Sequence, residues 1–263
     1  MSGGGLLVVT AHPDDEVLIA GGALAACSAA GAETSVVCLT RGELGPIADP
    51  ALAIRETLGE VRERELQAAC AALDVGWVRC LDHADGSLPW ADKATAIGDI
   101  GRAIAERAPD AVVTFGGDGL YWHPDHIAVH RFTTAALALA ADGRDRRAPV
   151  LYEAVWRSTA MSDLTAAMAE RGLATDLWDI DPGAFGVPEA DDVVEIDVTR
   201  FVDQKLRALR AHATQLAPGQ VFSEIPADLA ERFLGVERFR AVGGGDDAGW
   251  LATTAARGGP RHG

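Results

Sequence analysis

The sequence predicts a doubly wound α/β fold: a mostly parallel, Rossmann-like sheet of strand order 3-2-1-4-5, flanked by helices, with a small C-terminal α/β appendage. Two observations predict it. Apolar, β-branched runs alternate with helix-period segments through residues 6–156, the pattern of a parallel sheet with helices on both faces. The composition, 48% hydrophobic and 24% charged over 263 residues, is that of a globular chain long enough to bury a core.

The expected strands are Leu6–Thr10, Thr34–Thr40, Trp77–Leu81, Asp110–Phe115 and Val150–Trp156. Helices are expected between them at 16–30, 55–74, 91–107 and 126–141. In the second of these, Val61, Leu66, Ala69 and Leu73 fall near one face, with Arg62, Glu63 and Glu65 largely elsewhere. After Trp156 the pattern changes. A helix over Ser158–Arg171, capped by Ser158 or Ser162, precedes a Pro- and Gly-rich stretch. A strand at Val193–Val198 and helices at Thr199–Leu216 and Ala227–Glu237 follow. These residues are too few for an independent domain. The reading is therefore one domain over 1–263: a core of about 5–157, an appendage of about 158–240 and a mobile Gly-rich tail of about 243–263 in which Trp250 is the one evident anchor.

Lys plus Arg number 23 against 39 for Asp plus Glu, a formal charge of −16. So acidic a chain, with no basic patch, excludes nucleic acid and anionic membrane surfaces as natural partners. The four cysteines have no C-x-x-C spacing, so neither a zinc knuckle nor a disulfide framework is expected. The start lacks a positively charged leader, and no apolar run approaches the ~20 residues needed to cross a bilayer. The expectation is a cytoplasmic protein without membrane insertion. A homo-oligomer is compatible with the sequence, which does not specify one.

Two short motifs carry the chemistry. Strand one runs into Ala11-His12-Pro13-Asp14-Asp15-Glu16, and strand four runs through glycines into Tyr121-Trp122-His123-Pro124-Asp125-His126. In this strand order the two strands are neighbours where the winding reverses, and their carboxyl ends flank the crevice in which such sheets bind ligands. His12, Asp15 and His126 make a metal triad with an open fourth position. Pro13 biases His12 to an extended conformation. Asp14 is then free to act as general base, and His123 to hold an oxyanion or protonate a leaving group, with Asp125 orienting it. Helix capping alone explains the prolines and carboxylates but not three histidines at two adjacent strand ends.

These paired motifs closely resemble those of the PIG-L/LmbE-like family of zinc-dependent N-acetylglucosaminyl deacetylases. Thr40-Arg41-Gly42-Glu43, Arg62 with Glu65, Asp85-Gly86 and Ala211-His212-Ala213-Thr214-Gln215 match in order, so the resemblance covers most of residues 5–240. It implies zinc on His12, Asp15 and His126, Asp14 as the base and His123 as the helper. It also implies Arg62 and Asp85 in the sugar pocket, with Tyr121 polarising the acyl carbonyl. The donor set suits Fe(II) as well. The implied reaction is hydrolysis of an N-acyl group, most simply N-acetyl, from an amino-sugar-containing small molecule. Cleavage of thiol-conjugates of an amino-sugar cofactor, or of a glycosylated natural product, shares the chemistry. The loop Gly116-Gly117-Asp118-Gly119-Leu120 departs from that of many thiol-cofactor members. From another class, a non-catalytic nucleotide- or sugar-binding module lacks the G-x-G-x-x-G turn it would need.

His130, four residues after His126, is read as structural, His83 as either facing the crevice end of the sheet or merely solvated, and His212 as a residue able to approach the substrate from the appendage. Arg62 and Glu65 are otherwise explained as an exposed ion pair.

Overall fold

The computed structural model describes residues 3–141, 148–188, 192–243 and 249–258. The strands are β1 (Gly3–Thr10), β2 (Ala32–Thr40), β3 (Trp77–His83), β4 (Ala111–Phe115), β5 (Val150–Ala154), β6 (Val193–Asp197) and β7 (Val236–Val242). The helices are α1 (Asp15–Ala29), α2 (Leu58–Ala72), α3 (Lys93–Arg107), the short α4 (Gly119–Trp122), α5 (Pro124–Ala141), α6 (Ala160–Glu170), α7 (Val202–Ala211), the short α8 (Val221–Glu224), α9 (Ala227–Leu234) and α10 (Trp250–Arg257).

The sheet order is β3-β2-β1-β4-β5-β7-β6, so the expected order 3-2-1-4-5 is present and parallel throughout. Leu6, Leu7, Val8 and Val9 of β1 are all buried, as is every residue of β4. Such unbroken apolar runs, without alternation, belong to central strands covered by helices on both faces. β3 lies at one edge and is only half-buried along most of its length. The winding reverses between β1 and β4, which opens the crevice at their carboxyl ends.

The C-terminal residues are α/β as expected, and they extend the same sheet: β7 pairs antiparallel with β5, and β6 with β7. Strand β7 replaces the end of the helix expected over Ala227–Glu237. The alternation of Val236-Glu237-Arg238-Phe239 was masked because its inward positions hold a carboxylate beside an aromatic ring. The helix expected over Thr199–Leu216 is interrupted at His212, and residues 213–215 form a separate turn. The Ser158 or Ser162 cap is not used; α6 starts after Thr159. Residues 250–257, expected in a mobile tail, form α10, with Leu251 and Ala255 buried and the Leu251 amide donating to the Tyr152 hydroxyl. The rest of that tail beyond Gly243, except Gly249 and Gly258, lies outside the described residues.

Glu237 also repairs a break in α1. The helix kinks at Ala20 (φ −152°), and the freed amides of Gly22 and Ala23 donate to the two Glu237 carboxylate oxygens at 2.7 and 2.8 Å. Lys205 on α7 completes the site, its Nζ 2.6 Å from Glu237 Oε1, with both residues buried. Breaking a buried pair by removing one partner strands the other charge. Lys205→Met is therefore expected to lower stability by about 3 kcal/mol, read as a fall in the urea midpoint. An unchanged midpoint would show that the two backbone amides alone satisfy Glu237.

Candidate active site

At the reversal point, β1 ends and α1 begins within Ala11–Glu16, and β4 leads through α4 into α5. Pro124 takes the first position of α5, where a missing amide hydrogen costs nothing. The two motifs meet there. His12 Nδ1 lies 3.4 Å from Asp15 Oδ2 and 3.3 Å from His126 Nε2, and Asp15 Oδ1 lies 3.2 Å from His126 Nε2. A tetrahedral ion with bonds of about 2.0–2.1 Å has edges of about 3.3 Å.

Hydrogen bonding sets both tautomers in favour of a cation. His126 directs Nδ1 to the Gly119 carbonyl at 3.1 Å, which leaves the Nε2 lone pair facing Asp15. His12 directs Nε2 to Asp85 (3.1 Å) and Asp125 (3.3 Å), which leaves the Nδ1 lone pair facing the same point. Carboxylates behind a ligating histidine are the usual support of such a site. Burial pushes the His12 imidazole down, but its hydrogen bonds to the carboxylates of Asp125, Asp15 and Asp85 outweigh it and hold it well above its ordinary value. The pocket is short of positive charge, as a cation site is. Ligand atoms of His12, His123 and His126, and of His12, Asp85 and Asp125, also lie within 4.8 Å of one another. The second group meets at the His12 nitrogen that the tautomer assigns to a proton. The set His12–Asp15–His126 therefore fits a metal on distance and on lone-pair direction.

Asp125 was expected to orient His123. Its carboxylate instead holds His12 and accepts from the Gly86 and Leu88 amides, at 2.8 and 3.1 Å. Only its backbone amide meets His123, donating to Nδ1 at 3.2 Å. A neutral His123 thus carries its hydrogen on Nε2. Burial and then the neighbouring His126 and His12 push its pKa down to about 4.

Asp14 sits at φ 114°, a conformation side-chain-bearing residues avoid and one that stores strain. Three contacts hold it. Its amide donates to Glu16 Oε2 at 2.9 Å, Arg62 donates to its carboxylate at 3.0 Å, and Arg62 also binds the Pro13 carbonyl at 2.5 Å. Burial raises Asp14 to about 6 against the pull of Arg62, with Asp15 adding to the rise. Arg62 approaches Gly42 so closely that a Cβ there would strike its guanidinium, and Gly42 adopts φ +63°; glycine is required on both counts.

Arg62 and Glu65 are not an exposed pair. Both are buried, and Glu65 accepts from the amide and hydroxyl of Thr214 at 2.8 and 2.6 Å. His212 was expected to reach substrate but is fully buried, its Nε2 2.7 Å from Glu16 Oε1. It braces the carboxylate that holds Asp14. His83 pairs with Asp99 at 2.9 Å rather than lying in solvent, and His130 bonds the Phe115 carbonyl at 3.0 Å.

A cleft of about 430 Å³ opens over the trio, lined by Asp14, Arg62, Asp85, Tyr121 and His123 among the residues expected there. Tyr121 lies edge-on to His123 and His126, with ring centroids 5.6 and 5.3 Å away, and burial raises its hydroxyl pKa so that it stays protonated. Leu44, Pro46, Trp178, Ile180 and Gln215 are among the lining residues not predicted as site residues. Of these, only Gln215 fell in a quoted motif; the others, in loops without periodic pattern, gave no signal.

A family model described as PIG-L: GlcNAc-PI de-N-acetylase matches residues 7–137. A 1D-myo-inositol 2-acetamido-2-deoxy-alpha-D-glucopyranoside deacetylase from Mycolicibacterium smegmatis is 37% identical, with 93% of each chain covered. Among solved structures, an N,N'-diacetylchitobiose deacetylase from Pyrococcus horikoshii superposes with TM-score 0.59 at 21% identity, covering 90% of this chain and 83% of that one. A 4-carboxy-2-hydroxymuconate hydratase from Pseudomonas putida shares the fold at TM-score 0.65 and 21% identity, covering 91% of this chain and 96% of that one. Fold alone therefore does not fix the reaction.

Proposed function

Because this chain belongs to the PIG-L family, we propose that it is a zinc-dependent N-deacetylase that hydrolyses the acetamide of an N-acetylglucosaminide. The observation that carries this reading is the convergence of the His12, Asp15 and His126 lone pairs, 3.2–3.4 Å apart, beneath a cleft that also presents Asp14.

Those three side chains would hold zinc, which when bound would supply the acidity of a water and the polarisation of the amide carbonyl. The residues of the chain do the rest. Asp14 takes the proton of the attacking water, its carboxylate aimed by Arg62 and its strained backbone held by Glu16. His123 donates from Nε2 to the developing oxyanion, because its Nδ1 is occupied by the Asp125 amide. The Tyr121 hydroxyl, protonated and in the same wall, is a second donor. A neutral His123 has no proton to spare for the leaving amine, so Asp14 returns the one it took. Amide and water are thereby converted to amine and acetate.

The test is to supply zinc-loaded protein with methyl N-acetylglucosaminide and with N-acetylglucosaminyl-inositol and to measure free amine and acetate. Equal amounts of both products are expected. Release of neither from any N-acetylglucosaminide would overturn the reading.

A further inference from the structure

One flank of the cleft is apolar and is built to stay in place. Leu44 and Pro46 come from the loop after β2, and Trp178 and Ile180 from the segment between α6 and β6. Gln215 fastens the two together: its carbonyl accepts from Trp178 Nε1 at 2.9 Å, and its Nε2 donates to the Pro46 carbonyl at 3.0 Å. The Ala48 amide adds a third link, donating to the Thr214 carbonyl at 2.9 Å. Trp178 itself stands at φ +54° and packs on Phe222, with ring centroids 5.3 Å apart. A half-buried indole held in the left-handed region by two partners is a fixed surface, not a loose loop.

Trp178 and Ile180 pack against the core on their inner side, but packing does not account for Leu44. Leu44 is 64% exposed, although its backbone amide is tied to Asp85 at 2.8 Å. Other exposed apolar side chains recur in the connections at the same end of the sheet. Of the seven exposed large hydrophobic residues among those described, five lie in connections leaving the carboxyl ends of β2, β3 and β4: Leu44, Leu52, Ile54, Trp90 and Trp122. Apolar surface gathered at the mouth of a polar site marks a ligand contact. The opposite flank supplies no free cation. Arg62 is the one cationic side chain in the lining apart from the histidines, and its terminal nitrogens are committed to Gly42, Pro13 and Asp14.

The geometry points to an N-acetylglucosaminide with a neutral, apolar aglycone as the preferred substrate, the aglycone lying along Leu44, Pro46, Trp178 and Ile180. The assignment rests on the deacetylase reading and narrows it. The acetamide must reach Asp14 and His123, and the aglycone sits on the ring carbon next to the one that carries it, so it is held inside the same cleft, where this wall stands. A phosphate or carboxylate on the aglycone would find no partner there.

The experiment compares kcat/KM for octyl, methyl and inositol N-acetylglucosaminides, the octyl compound kept below micelle concentration, and for the methyl glycoside carrying N-octanoyl in place of N-acetyl. The octyl N-acetylglucosaminide is expected to exceed the methyl and inositol compounds by tenfold or more, a gain that burying about two methylenes supplies. Trp178→Ala is expected to bring the octyl-to-methyl ratio close to one. Leu44→Ser, at an exposed position where folding is not at stake, should reduce the same ratio about threefold. Equal or better turnover of the methyl or inositol compound overturns the inference, as does an octyl advantage that survives both substitutions. Preference for the N-octanoyl compound also overturns it, by giving the wall to the acyl chain. Absence of amine from all four compounds would instead remove the deacetylase reading.

Discussion

Asp14→Asn is expected to lower kcat by ~10²–10⁴-fold while leaving metal content at the wild-type level. Asparagine matches the shape of aspartate and can still accept from Arg62, so the strained turn at φ 114° should survive. What it cannot do is take a proton. The His12, Asp15 and His126 side chains are untouched, so the loss should fall on turnover and not on metal. Steady-state kinetics beside metal analysis of the same preparation decides the matter; near-normal turnover would remove Asp14 from the mechanism. The pH profile provides a second reading. Burial, opposed by Arg62 and helped by Asp15, raises Asp14 to about 6. Only the carboxylate is a base, so kcat/KM should rise with pH through that region and level off above it. In the asparagine variant this limb should vanish.

Chelation is expected to have the largest effect of all: activity falls to background and returns with zinc. Stability should follow. Asp15, Asp85 and Asp125 are buried around His12, and without a cation their charges face each other with little water between them. An ion that binds only the folded state stabilises it by about 2.7 kcal/mol at a hundredfold excess over Kd. For a chain of this size that is roughly 5–10 °C in Tm. Thermal melts with and without zinc measure it, and His126→Ala should abolish the difference. Superimposable melts of the wild-type protein, with and without the metal, would argue that the trio does not bind one.

The parallel half of the sheet was legible because its strands are continuous apolar runs, a signal that survives without any tertiary information. So was the meeting of the two histidine motifs, since strand order alone brings the ends of β1 and β4 together. What escaped was set by contacts distant in sequence. Strand β7 hides because Glu237 faces inward, and it faces inward only because α1, more than two hundred residues earlier, kinks and needs an acceptor. His212 looked like a residue on an amphipathic helix, yet the helix stops there and its ring is buried against Glu16. Asp125 looked like a partner for the histidine two residues before it; the carboxylate reaches across the crevice to His12 instead. Trp178 and Ile180 lie in a segment with no period to read, and their place depends on Gln215. Motif residues are visible by type and spacing, whereas the groups that aim them are visible only once the chain is folded.

The clamp on α1 has a consequence for the order in which the molecule is made. Every group that would touch metal or acetamide has left the ribosome by residue 126. Lys205, His212 and Glu237, which hold the helix beginning at Asp15, come far later. An unfinished polypeptide therefore carries a full set of reactive side chains without the braces that align them. Competence is conferred only once Glu237 has been made, by residues that never meet the substrate.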